Sequence, residues 1–233
     1  AWQLAQAGIQ VRLIEMKPGQ RTPAQVSNHF SELVCSNSLR SNNTQNAVGL
    51  IKREMYGLGS LIIQTALEHR VPAGDALAVD REKFSASITE KLHSHTHIHI
   101  ESSEFEALPR QSATPIVIAT GPLTATKLAT DIAQTAGTVH LYFYDAIAPI
   151  IAAESINRDI VFAASRYGKG NGDDYLNCPL NQKEYELFLK EVVEGEYLGL
   201  HAFEEPKYFQ GCLPIEVMAA KGPETLRFGP MKP

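Results

Sequence analysis

Apolar positions recur at helical spacing from Asn46 to Arg70, where Leu50, Ile51, Met55, Leu58, Leu61, Ile62 and Ala66 fall on one stripe. The spacing predicts a long helix, and Gly57 and Gly59 predict a break in its middle. A second periodic run puts Phe84, Ile88 and Leu92 inward on a helix from Arg81 to about His93, behind Asp80 as its cap. Trp2, Leu4, Ala5 and Ala7 predict a short helix closed by Gly8, and Val11-Arg12-Leu13-Ile14-Glu15 a strand directly after it. Ala76-Leu77-Ala78-Val79 reads as a short strand after the turn Pro72–Asp75. Pro115–Thr120 reads as a short buried strand ending in a small-residue turn at Gly121, with a helix from Thr124 to about Ala136. Gln182 to Val193 predicts an amphipathic helix carrying Tyr185, Leu187, Phe188 and Val192.

Between these elements, Lys17 to Asn46 is polar and irregular, with Cys35 inside a Ser/Asn cluster. His93, His95, His97 and His99 alternate with other residues and would share one face of an extended chain. With no Cys, Asp or Glu to complete a metal set, they read as the solvated face of a strand leaving the helix, and no metal site is assigned. Ile98 to Leu108 reads as a hairpin or edge strand. From Leu141 the character shifts to an aromatic strand-like run, then a Gly/Lys/Asp/Asn loop. This places a boundary between a first domain, residues 1–145, and a second, residues 146–233. The chain begins inside a helix without methionine and stops abruptly, which reads as a fragment lacking both ends.

Composition adds bounds. A hydrophobic fraction of 44% with 20% charged residues is that of a globular protein with a sizeable core, and no apolar run is long enough to span a membrane. Three distant cysteines without a CxxC argue against a disulfide framework or a zinc site and fit a reducing cytoplasm. A net charge of −5 weighs against general nucleic-acid binding. The tail from Lys207 to Lys232, however, carries four cations against two acids, a tilt suited to an anionic partner.

Helix, glycine, strand and a strand-end acid, Glu15, form the second half of a Rossmann βαβ unit. There the acid accepts hydrogen bonds from a dinucleotide's ribose; an ordinary surface acid has the same local pattern. The glycine-rich first turn would lie ahead of Ala1. Ala119-Thr120-Gly121 is a turn of the kind that lets backbone approach a cofactor closely, and an ordinary strand-to-helix turn looks alike. Taken together they favour an α/β chain with a partial Rossmann-like FAD-binding fold and a second α+β insertion domain. Gly211-Cys212-Leu213-Pro214 holds one thiol between a flexible and a stiff residue: either an aimed nucleophile or a small hydrophobe beside a turn.

Segments along the whole chain, among them Ala1–Pro18, Glu32–Asn42 (ELVCSNSLRSN), Val71–Phe84, Ile116–Thr124, Leu141–Ile150, Tyr175–Pro179, Gly211–Ala219 (GCLPIEVMA) and Leu226–Pro233, carry a resemblance to one family. The chain resembles the bacterial folate- and FAD-dependent tRNA (uracil-5-)-methyltransferases. The resemblance implies methylation of a T-loop uridine in tRNA, with 5,10-methylenetetrahydrofolate as carbon donor, reduced FAD as reductant and NAD(P)H as electron source, in the cytoplasm. It implies Cys212 as nucleophile and Cys35 as a second functional thiol, nucleophile or proton-abstracting partner. Glu15 would hold the FAD ribose, with Thr120 and Gly121 close to the cofactor, while Cys178 keeps a structural reading. The competing readings are an FAD protein that builds carboxymethylaminomethyl groups on wobble uridines, a general flavin oxidoreductase, and an inactive truncated fragment that binds tRNA or flavin.

Overall fold

The computed structural model describes residues 1–22, 25–34, 36–121, 124–137, 151–196 and 213–231. The chain divides into two compact units: residues 1–71 with 75–143, and residues 72–74 with 144–233.

In the first unit a short helix α1 (Trp2–Gln6) leads through Gly8 into β1 (Val11–Glu15). β1 pairs in parallel with β5 (Ile98–Ser102), Val11 opposite Ile98 and Glu15 opposite Ser102. A parallel pair needs a long crossover, and the intervening chain provides one. It contains β2 (Ser38–Ser41), α2 (Ala47–Gly57), α3 (Leu61–Glu68), β3 (Arg70–Val71), β4 (Ala76–Val79) and α4 (Arg81–Ser94). β2, β4 and β3 form an antiparallel sheet with β4 in the centre. Its central strand is the most buried, and Leu77 and Val79 join Phe84, Ile88 and Leu92 of α4, Leu61 and Ala66 of α3, and Ile98 in one core. Burying such side chains is worth roughly 1.5–3 kcal/mol each, so this cluster dominates the unit's stability.

The predicted break in the long helix is present. α2 ends at Gly57, Gly59 takes φ +72°, and the Ser60 hydroxyl restarts the chain by accepting from the Ile63 N–H. Asn46 and Asp80 cap α2 and α4 through their side chains.

Three expectations need correction and one is narrowed. The histidines do not share a strand face, because α4 runs on to Ser94 and only His99 lies in β5. His95 instead stands edge-on to Trp2, and His97 Nδ1 contacts the Ala5 carbonyl at 3.2 Å. Of the two readings for Ile98 onward, hairpin or edge strand, the second holds: among the described residues β5 is an edge strand, paired in parallel with β1. Ser38–Ser41, too polar to read as a strand, pairs with β4 across an irregular register. Residues 115–120 form no strand: Ile116, Val117 and Ile118 are exposed, and no described backbone group pairs with them. An apolar run has strand composition, but a strand exists only where a neighbour supplies the ladder. The helix after it is α5 (Thr126–Ala136).

In the second unit β6 (Phe162–Ala163) pairs antiparallel with β7 (Leu176–Asn177). The loop between them is tied by the Ser165 hydroxyl, which accepts from the Asp174 N–H at 3.0 Å. The Asp174 carboxylate accepts the Gly74 N–H at 2.6 Å, and the Tyr175 hydroxyl donates to the Ala73 carbonyl at 2.7 Å. α6 (Gln182–Glu194) opens with a reciprocal capping box between Asn181 and Glu184, and α7 (Ile215–Ala219) packs against it. The aromatic run at 141–145 lies outside the described residues.

Candidate functional site

Glu15 closes β1, and the parallel pairing sets it opposite Ser102. Its Oε1 accepts the Lys17 N–H at 3.1 Å, its main-chain carbonyl accepts the Ser103 N–H at 3.0 Å, and the Ser102 hydroxyl donates to the Lys17 carbonyl at 2.8 Å. Oε2 receives no hydrogen bond among the described residues. The carboxylate is thus oriented by backbone while one oxygen stays available to a hydroxyl donor. Beside it, Arg12 of β1 and Glu101 of β5 form a cross-strand ion pair at 2.7 Å. That hydrogen bond from Arg12, followed by one from Ser103, holds the Glu101 carboxyl below the usual range.

The loop after Glu15 is folded back by a buried cation. Lys17, only 5% exposed, donates to the His29 carbonyl and lies 3.6 Å from the Glu32 carboxylate. Glu32 Oε1 also accepts the N–H groups of Val26 at 2.8 Å and Ser27 at 3.0 Å. The Phe30 N–H donates to the Thr89 hydroxyl of α4 at 2.8 Å, which fastens the loop to the core. Neither Lys17 nor Glu32 stands out in the sequence as a site residue. A lone lysine in a polar stretch reads as solvated, and only the fold shows it enclosed.

Thr120 and Gly121 lie in the exposed stretch ahead of α5. The Thr120 hydroxyl shares a hydrogen bond with that of Thr124 at 2.7 Å. Gly121 takes φ +76°, a conformation that favours glycine, and a side chain there would meet only open space. Its backbone is therefore accessible to a ligand. No hydrogen bond joins Glu15 to Thr120 or Gly121 among the described residues. Cys35 and Cys212 lie outside the described residues. Near the first, the Asn37 main chain and side chain both bond to Val79, at 3.0 and 3.1 Å. Near the second, Pro214 is buried at the start of α7. Cys178, just past β7, is an exposed free thiol. Among the described residues no three ligating side chains cluster as a metal site, and no helix is long and apolar enough to cross a membrane.

A parallel β-pair entered from a helix–glycine turn, with an acid oriented by backbone at its carboxyl end, defines a mixed α/β protein. The family model described as glucose inhibited division protein A matches residues 1–233, and the chain belongs to that family. It is 58% identical over all 233 residues to a methylenetetrahydrofolate–tRNA-(uracil-5-)-methyltransferase TrmFO of Anaeromyxobacter dehalogenans strain 2CP-1, covering 51% of that protein. Proteins of the same name from Myxococcus xanthus and Lactobacillus johnsonii are 54% and 52% identical over the whole chain, with 50% and 52% of their own lengths covered. The chain spans about half the length of the curated relatives it matches.

Proposed function

We propose that the chain is part of a folate- and FAD-dependent tRNA (uracil-5-)-methyltransferase that converts a T-loop uridine to ribothymidine. The observation that carries this reading is the 58% identity across the whole chain to a protein of that name. The free oxygen of Glu15 fits a ribose hydroxyl, and the open backbone at Gly121 fits a cofactor's close approach, so both support FAD as the resident group. In this reading residues 1–145 hold the cofactor and residues 146–233 form the substrate-side domain.

Uracil C5 is a weak nucleophile, and covalent addition at C6 activates it. The Cys212 thiolate adds to C6, which pushes the electron pair onto C5 for attack on the carbon of 5,10-methylenetetrahydrofolate. That attack breaks one carbon–nitrogen bond of the donor; Cys35, as thiolate, then takes the C5 proton, and the electron pair released breaks the other, so that tetrahydrofolate leaves and an exocyclic methylene remains at C5. Two electrons and a proton turn the methylene into methyl as the Cys212 thiolate departs from C6 and the C5–C6 double bond returns. The opposite assignment exchanges the two thiols. FAD, when bound, supplies the electrons that complete the methyl group, with NAD(P)H as their source. The chain's remaining share is to orient the extruded base and exclude water.

The test uses the full-length protein with a T-loop RNA, methylenetetrahydrofolate and NAD(P)H. Cys212→Ala is expected to lower methyl transfer about a thousandfold or more while flavin absorbance stays unchanged. RNA carrying 5-fluorouracil should trap the attacking cysteine as a covalent adduct. An adduct at Cys35 would exchange the roles, and near-normal turnover by the Cys212 variant would remove it from the mechanism.

A further inference from the structure

A cleft of about 200 Å³ opens between α2, α3 and the loop leading from β2 into α2. Its wall on the α2 side is built from Gly49, Lys52, Arg53 and Tyr56, which fall one above another on a single helical face. Ile63 and Leu67 of α3 supply an apolar wall, and Asn42 and Thr44 of the loop add an amide and a hydroxyl. A side chain at Gly49 would collide with the Asn43 backbone, so glycine lets this loop come close to the helix.

The charge balance of the cleft is one-sided. Lys52 is 6% exposed, and its ammonium donates to the carbonyls of Ser41 at 2.9 Å and Val48 at 3.1 Å. An ammonium has three N–H groups, so one remains, and among the described residues no carboxylate pairs with it. Among those residues the side chains of Asn42, Thr44, Arg53 and Tyr56 also make no hydrogen bond or ion pair. Among the described residues that line the cleft none is acidic. A buried cation without a counter-charge is costly, and several unpartnered donors beside it point to an anion supplied from outside. Size limits which anion. Sites for whole cofactors run to roughly 300–1,000 Å³, so this cleft suits a single small group. Donors from both helix and loop match an acceptor with oxygens pointing several ways. Phosphate provides that, whereas a carboxylate has two oxygens in one plane.

We propose that this cleft is an oxyanion site that takes one phosphate group, held by Lys52, Arg53, Asn42 and Thr44. The group comes either from inorganic phosphate or from a phosphodiester of RNA. The second source rests on the tRNA reading above, and the first does not.

The experiment titrates inorganic phosphate into the full-length protein by calorimetry at constant ionic strength, with acetate as a control. Saturable binding is expected, weakened about tenfold by Arg53→Gln. Arg53 is exposed, so this variant should fold normally. Lys83→Gln, a change at the start of α4, should leave binding unchanged. Displacement of phosphate by a short oligoribonucleotide assigns the site to backbone phosphate, and intact phosphate binding without displacement assigns it to the free ion. Absence of saturable binding, equal binding of acetate, or an unchanged Kd in Arg53→Gln overturns the proposal. Because binding is measured without turnover, failure of methyl transfer would bear only on the reaction assigned above.

Discussion

Lys17 holds its charge inside the protein, while its main-chain N–H orients the neighbouring carboxylate. Its N–H orients Glu15 while its ammonium faces Glu32, whose Oε2 is buried with no hydrogen-bond partner. Removing one member of a buried pair strands the other in a poor solvent. Lys17→Met should therefore cost about 3 kcal/mol in urea denaturation. The variant keeps the N–H that orients Glu15, so it should lower flavin retention, read from absorbance, through loosening of the loop that the ammonium folds back. The helix and the strand end at Glu15 were legible because helix, glycine, strand and acid form a contiguous local pattern. Lys17 and Glu32 were not, because an ion pair enclosed by a folded loop leaves no periodicity. Cys35 and Cys212 are candidates chiefly through the resemblance of their flanking segments, since isolated thiols read equally well as packing.

At the level of elements, helix ends carried the clearest signals. Asn46, Asp80 and the Gly57/Gly59 pair mark caps and a break through their own backbone chemistry. The capping box of α6 is another such device. Asn181→Ala should lower stability by about 1 kcal/mol, measured as a shift in denaturation midpoint. Strands were harder to place, because pairing is settled by partners distant in sequence. Ser38–Ser41 pairs despite its polarity, while Ile116–Ile118 is apolar and pairs with no described residue.

α2 also carries a pH dependence. Burial first, and then the like charge of Arg40, holds the Lys52 ammonium below its ordinary 10.5. Unfolding restores the ordinary value, so between the two the unfolded chain binds the extra proton. Stability from this group should rise as pH climbs through that window toward 10.5. Denaturation midpoints across alkaline pH, compared with those of Lys52→Met, should show that rise in the parent and a flatter profile in the variant.

Across the whole molecule, the two units differ in how they are held. The first is organised by one apolar core, from Ala5 to Ile98. The second leans on side chains that tie loops to backbone, such as Asp174 to Gly74, Tyr175 to Ala73 and Arg166 to the Gly229 carbonyl. A core is visible in sequence as periodic apolar positions. A network of loop ties is not, because each tie depends on geometry that only the folded chain supplies.

The first unit also contains the chain's single tryptophan, Trp2, with its ring 5.3 Å from that of His95 at an interplanar angle of 77°. A five-residue helix has little stability of its own, so α1 keeps its place through contacts like this one. Trp2 emission is consequently an optical gauge of whether the start of the chain is seated against the end of α4. His95→Leu should change the emission yield while far-ultraviolet ellipticity stays the same. In the parent protein, a red shift that precedes the loss of ellipticity would show the first helix peeling away before the core dissolves.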